Sequence, residues 1–211
     1  MRNLILKASS AFLLSSIVML TPLTASADTE QIVVDKVELT AEEQARADKL
    51  ANGMITMQSI SIAIGDEKRA KIMEATKANR NVSIEITNKE LEEINKMLDS
   101  EGIALLPQST KSLDVTENSY VIRTASGSDV QIFSSRSAAG TAWQITKCAG
   151  YIAVAIVPAS KAYKAVKGLG GIRETASALV GAGNVRDFLK IAGAAGAEIV
   201  GVDGVVTNCT F

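Results

Sequence analysis

The chain has 211 residues, 47 % hydrophobic but only 4 % aromatic, which suits one ordinary domain or two small ones around an aliphatic core. Its 22 basic and 23 acidic residues nearly cancel, which argues against nucleic acid as a partner. There is no histidine and there are two cysteines, which removes the commonest general base, Ser–His and Cys–His pairs, most catalytic zinc sites and any four-cysteine zinc site.

Residues 1–27 read as a secretory signal peptide. Arg2 and Lys7 form the positive start, Ala11 to Leu20 the apolar stretch, and Ala25-Ser26-Ala27 the small-residue cleavage site, with Asp28 beyond it. The apolar stretch is about ten residues, half of the roughly 20 that a spanning helix needs. No cysteine follows it to carry a lipid. The expected location is therefore extracellular, where a cysteine pair reads first as a disulfide, with free buried thiols as the alternative. Cys148 and Cys209 lie 61 positions apart, and closing a loop of that size is worth about 4 kcal/mol in the chain-entropy model.

Residues 28–147 form an acidic region of mixed helix and strand, with 14 basic and 19 acidic side chains. Gln31 to Leu39 alternates and suits an extended segment. Thr40-Ala41-Glu42-Glu43 is a capping box that should open a helix, with Gly53 as its point of interruption. Met54 to Ile64 reads as core. Asp66 is the expected cap of a second helix, broken by Asn79-Arg80-Asn81. Val82 to Ile86 alternates as a half-buried strand. Thr87-Asn88-Lys89-Glu90 is a second capping box, followed by Leu91, Ile94, Met97 and Leu98 at helical spacing and by Gly102 as a stop. Ser109 to Thr116 is polar and reads as a link. Tyr120–Arg123 and Val130–Phe133 flank a Gly-containing turn and suit a hairpin. Ser134 to Thr141 reads as a linker or exposed loop.

Residues 148–211 differ: Ala, Gly, Val and Ile dominate, with 6 basic and 4 acidic side chains, and the two cysteines bracket the stretch. A first helix is expected from about Ala149 to Lys167, kinked or ended at Pro158. Lys161, Lys164 and Lys167 recur every three residues on one side of it. A break at Gly168-Leu169-Gly170-Gly171 precedes a second helix from Ile172 to Val180. A third is capped by Asn184, with Asp187 in its first turn. Ala192-Gly193-Ala194-Ala195-Gly196-Ala197 places small residues three and four apart, which suits close helix contact in a membrane or in water. No segment is long enough to span a bilayer, and an interfacial or oligomeric membrane mode stays open.

No enzyme constellation stands out. Glu42-Glu43 and Glu92-Glu93 suit solvated helix faces, and Ser134, Ser135 and Ser137 lack a histidine partner. The expectation is a chain that is not an enzyme and needs neither cofactor nor metal. A signal peptide, an acidic middle and a cationic Ala/Gly/Val-rich end beginning Cys148-Ala149-Gly150-Tyr151 resemble the precursors of secreted peptide toxins and bacteriocins of Gram-positive bacteria, the sporulation-delaying toxin type in particular. The resemblance implies release of a C-terminal peptide, permeabilisation of competing bacteria's membranes, and an immunity protein in the producer. In that type the paired cysteines lie close together before the apolar run; here they bracket the module.

The expected fold is α+β, mainly α. It comprises the signal peptide, a mixed region that could be a propeptide, and a helical module closed by Cys148 and Cys209. Tyr151, Lys161, Lys164, Lys167 and Lys190 are its candidate membrane or partner contacts, with Ala25 and Ala27 at the signal cleavage. The function expected first is a bacteriocin-like precursor acting on bacterial membranes. A non-enzymatic extracellular or cell-wall-associated protein is the alternative, and an inhibitor or immunity-type binding protein a third.

Overall fold

The computed structural model describes residues 38–135, 141–200 and Cys209. The expected signal peptide, its cleavage residues Ala25 and Ala27, and most of the extended segment before Leu39 lie outside these residues.

Thr40 opens α1 (Ala41–Ala63) with the expected capping box: its hydroxyl accepts from the Glu43 amide at 3.3 Å, and the Glu43 carboxylate accepts from the Thr40 amide at 2.9 Å. The first turns are amphipathic, with Ala47, Leu50 and Ala51 inward. Between Gly53 and Ile60 only Gln58 escapes full burial. Gly53 does not interrupt the helix. Its lack of a side chain admits Phe133, whose Cζ would lie 2.6 Å from a Cβ at that position.

α2 (Gly65–Lys77) starts two residues earlier than expected, with Ile64 at the cap position. Asp66 is not its cap; it sits in the first turn and pairs with Arg69. Asn79, at a left-handed φ of 50°, turns the chain into β1 (Val82–Glu85). Thr87 and Glu90 form the second capping box, at the start of α3 (Asn88–Ser100). Leu91, Ile94 and Leu98 face inward, and the buried Asn95 side chain both donates to and accepts from the Leu106 backbone, at 3.0 and 2.8 Å.

Three more strands follow: β2 (Thr110–Thr116), β3 (Ser119–Thr124) and β4 (Val130–Ser134). They extend an antiparallel sheet in the order β1-β2-β3-β4. The hairpin expected around Gly127 is present. The link expected at Ser109 to Thr116 is instead β2, an inner strand. Its two inward apolar residues, Leu113 and Val115, suffice because neighbouring strands complete two rows on the core face. One row is Ile84, Leu113, Ile122 and Val130; the other is Val82, Val115, Tyr120 and Phe133. The polar residues that disguise β2 lie on its other face. There Asp114 accepts from Ser83 at 2.6 Å and from Arg123 at 2.7 Å.

The described residues of the C-terminal half form four helices: α4 (Thr141–Ala155), α5 (Lys161–Gly168), α6 (Ile172–Ala182) and α7 (Val185–Val200). Of the two outcomes expected at Pro158, a kink or an end, the structure shows the end, so the stretch from Ala149 to Lys167 is shared by two helices, the first of which starts earlier, at Thr141. Pro158 follows the end of α4, Ala159 takes a left-handed φ of 68°, and Ser160 caps α5 by accepting from the Tyr163 amide at 2.9 Å. Asn184 caps α7 as expected, accepting from the Asp187 amide at 2.9 Å. The fold is α+β and mainly helical. α1 is its central pillar, packed against α3, α4 and α6 and reaching β4. One continuous core runs from Leu50 through Ile122 and Ile152 to Ile199.

Candidate functional site

Every residue from Cys148 to Ile156 is buried, and none is charged. A helix apolar all round must be covered on every side. α1, α2, α6 and β4 supply that cover for α4. Gly150 makes room for the ring of Tyr120, whose Cζ would lie 3.0 Å from a Cβ there. Burial pushes the Tyr120 phenol up to about 12, against the opposing hydrogen bond with Thr76.

The two cysteines are joined. Cys148 and Cys209 are both buried and form a disulfide with their Cα atoms 4.7 Å apart. The bridge ties the end of the chain to the most buried helix. Among the described residues no cysteine is free.

The composition boundary at 147/148 falls inside α4, whose first turns precede it. Residues on both sides of the boundary belong to the same core. Lys147, whose bond to Cys148 marks that boundary, is half-buried and donates to the Asn79 side chain at 2.8 Å. A protease would have to unwind α4 to reach that bond.

The expected contact residues divide. Tyr151 is 2 % exposed and lies in the core, so as folded its ring reaches neither membrane nor partner. Its position in an all-round apolar helix accounts for the correction. Lys161, Lys164 and Lys167 are exposed on the outer face of α5, while Ala162, Ala165 and Val166 pack inward. None of the three lysines has an ion-pair partner among the described residues. Lys190, exposed on α7, pairs with Asp187 at 2.6 Å. The small residues of α7 meet α5 closely, with Ala195 Cβ 3.9 Å from where a Cβ on Gly168 would stand.

Beside the lysine face lies a cleft of about 470 Å³. Ile55, Ile156 and Val166 line it with Lys167, Glu101 and Glu174. Tyr163, 37 % exposed, stands at it as one of two large apolar side chains left outside the core among the described residues; Leu105 is the other. Sequence reasoning missed this cleft because its walls come from α1, α5, α6 and the end of α3. Only Lys167 had been singled out.

The arrangement offers a cationic, tyrosine-bearing helix face over an apolar core, a chemistry suited to anionic surfaces. Among the described residues no three His, Cys, Asp or Glu side chains are grouped to hold a metal ion, and no helix is long and apolar enough to cross a membrane. No protein-family model, curated protein or solved structure matches this chain.

Proposed function

We propose that the chain is an exported, bacteriocin-like precursor. In this reading the disulfide-closed helices α4–α7 act on bacterial membranes, and the region before Thr141 keeps them folded in water. The observation that carries the reading is α4. Its uncharged stretch from Cys148 to Ile156 is covered by α1 and α2, which belong to the region before Thr141. Parted from that region, α4 would need lipid or a second copy to cover it. The exposed lysines of α5 would then draw the unit to anionic lipid, each contributing about 1 kcal/mol near such a surface. The disulfide supports an extracellular setting. An immunity protein in the producing cell is the partner this activity calls for.

In this reading the active unit begins between β4 and α4. A cut between β4 and α4 would release all four helices whole, whereas a cut after Lys147 would divide α4.

The test is dye leakage from vesicles containing phosphatidylglycerol. It compares the oxidised chain from Asp28 to Phe211 with the oxidised fragment from Thr141 to Phe211. The expected result is a silent long chain and a leaky fragment. Intact mass of the native culture supernatant gives the companion reading, a species that starts between β4 and α4.

The continuous core across residue 147 favours one second reading, a non-enzymatic extracellular domain that works folded and binds a partner. Absence of leakage by the fragment, with a single secreted species from Asp28, selects it.

A further inference from the structure

A second cleft, of about 300 Å³, opens where α1, β4, α4 and α6 meet. Leu50, Phe133, Ile145 and Val180 give it an apolar wall, one residue from each element. Arg46 and Lys49, exposed and three residues apart on α1, line it as well. No acidic side chain lines it among the described residues. Arg46 has only a distant companion in Glu43, at 4.0 Å, and Lys49 has no ion-pair partner among the described residues. An apolar wall with unmatched positive charge beside it calls for a ligand that is apolar at one end and anionic at the other.

We infer that this cleft binds a monomeric, single-chain anionic amphiphile: a medium-chain carboxylate with its chain against the apolar wall and its head on Arg46 and Lys49. Size sets the chain length. At ~30 Å³ per water-sized group, the cleft holds about ten such groups, the chain of decanoate. Two chains of a membrane phospholipid, with about thirty carbons, would need roughly three times that space. A free single-chain species is therefore the occupant assigned to the cleft, and the vesicle arm of the test sets it against a lipid in a bilayer. The cleft stands apart from the lysines of α5, so the inference does not depend on the membrane reading.

The probe is decanoate below its micelle concentration, titrated calorimetrically into the oxidised chain from Asp28 to Phe211. Decyltrimethylammonium is the matched cation, and sedimentation with phosphatidylglycerol vesicles tests the bilayer source. The expected result is saturable one-site binding of decanoate that is at least about tenfold tighter than binding of the cation. R46E/K49E should abolish or reverse that preference. Ala142→Trp, which fills the cleft from the half-buried first turn of α4, should weaken decanoate binding by about tenfold or more. R46E/K49E changes only exposed side chains and keeps the test sharp should A142W fold poorly.

Three results would each overturn the inference. They are no saturable decanoate binding, whether or not the chain sediments with vesicles, equal affinity for the anion and the cation, and an anion preference that R46E/K49E leaves unchanged. Leakage is not read out, so failure here and failure of the membrane reading are distinguishable.

Discussion

Gly53→Ala separates a packing glycine from a helix breaker. In an exposed helix this change stabilises by about 1 kcal/mol, because alanine is the better helix former. In α1 the added methyl meets a ring. Phe133 Cζ stands 2.6 Å from the new carbon and Cδ1 3.1 Å, with Cε1 closer than either. The ring has little freedom to retreat. Phe133 is buried and meets Tyr120 edge-on, with centroids 5.6 Å apart. Overpacking of this kind costs about 1–3 kcal/mol, and disturbing the aromatic pair costs about 1 kcal/mol more. Set against the propensity gain, the net is a loss of about 1–3 kcal/mol, or about 2–4 °C in Tm per kcal/mol for a chain of this size. Urea unfolding measures it, as a lower midpoint at unchanged slope. Phe133→Leu supplies the control. Removing the ring should remove most of the penalty, so the two changes should couple by about 1 kcal/mol or more in a double-mutant cycle. A stabilised Gly53→Ala variant, or the same cost with and without the ring, would refute the packing account.

Replacing both cysteines by serine should cost about 4 kcal/mol by the loop-entropy account, read as a urea midpoint that matches the reduced wild type. Thr87→Ala should cost about 1 kcal/mol, since it removes the α3 cap. Glu90→Gln reports the same cluster through pH. Burial raises the Glu90 carboxyl, but hydrogen bonds from Lys68 and from the Thr87 backbone and hydroxyl outweigh it, so the net shift is downward. A lowered folded pKa stabilises above the unfolded value of about 4.3 and loses that stability as pH falls through the folded value. Wild type should therefore exceed Glu90→Gln at pH 7, and the gap should close on acidification below about 4. Tyr120→Phe tests the alkaline side. With its pKa raised to about 12, the Tyr120 phenol stays protonated in the fold after the unfolded chain ionises near 10. Wild-type stability should fall from about pH 10 upward more steeply than that of Tyr120→Phe in pH-dependent urea melts.

What was legible in the sequence was local. The two capping boxes place their hydrogen bonds within three residues, so the letters Thr40/Glu43 and Thr87/Glu90 suffice to read them. The hairpin of β3 and β4 and the cap at Asn184 are local in the same sense. β2 was not legible, because its reason for being a strand lies in its neighbours. Its outward Ser112 and Asp114 are matched by Ser83 and Arg123, residues that sequence order puts far from it or on the next strand. Gly53 misled for the same reason: a glycine that admits Phe133 looks no different from one that ends a helix.

The candidate site shows where composition reaches its limit. A helix without charge from Cys148 to Ile156 reads identically whether lipid or protein will cover it. What decides is the partner surface, and here that surface is supplied by α1, a hundred residues earlier in the chain, together with α6 and the sheet edge. The boundary seen in composition at residue 148 is therefore a boundary between partly and wholly covered helix, drawn within α4 itself. The lysines escape this ambiguity because a charge left unpaired must face water. Their spacing on α5 was enough to place Lys161, Lys164 and Lys167 outside, while Tyr151, amphipathic and uncharged, could be read either way and proved to be core. A membrane role for α4 thus requires a step that separates it from α1. The leakage comparison across Thr141 is the measurement that makes that step visible.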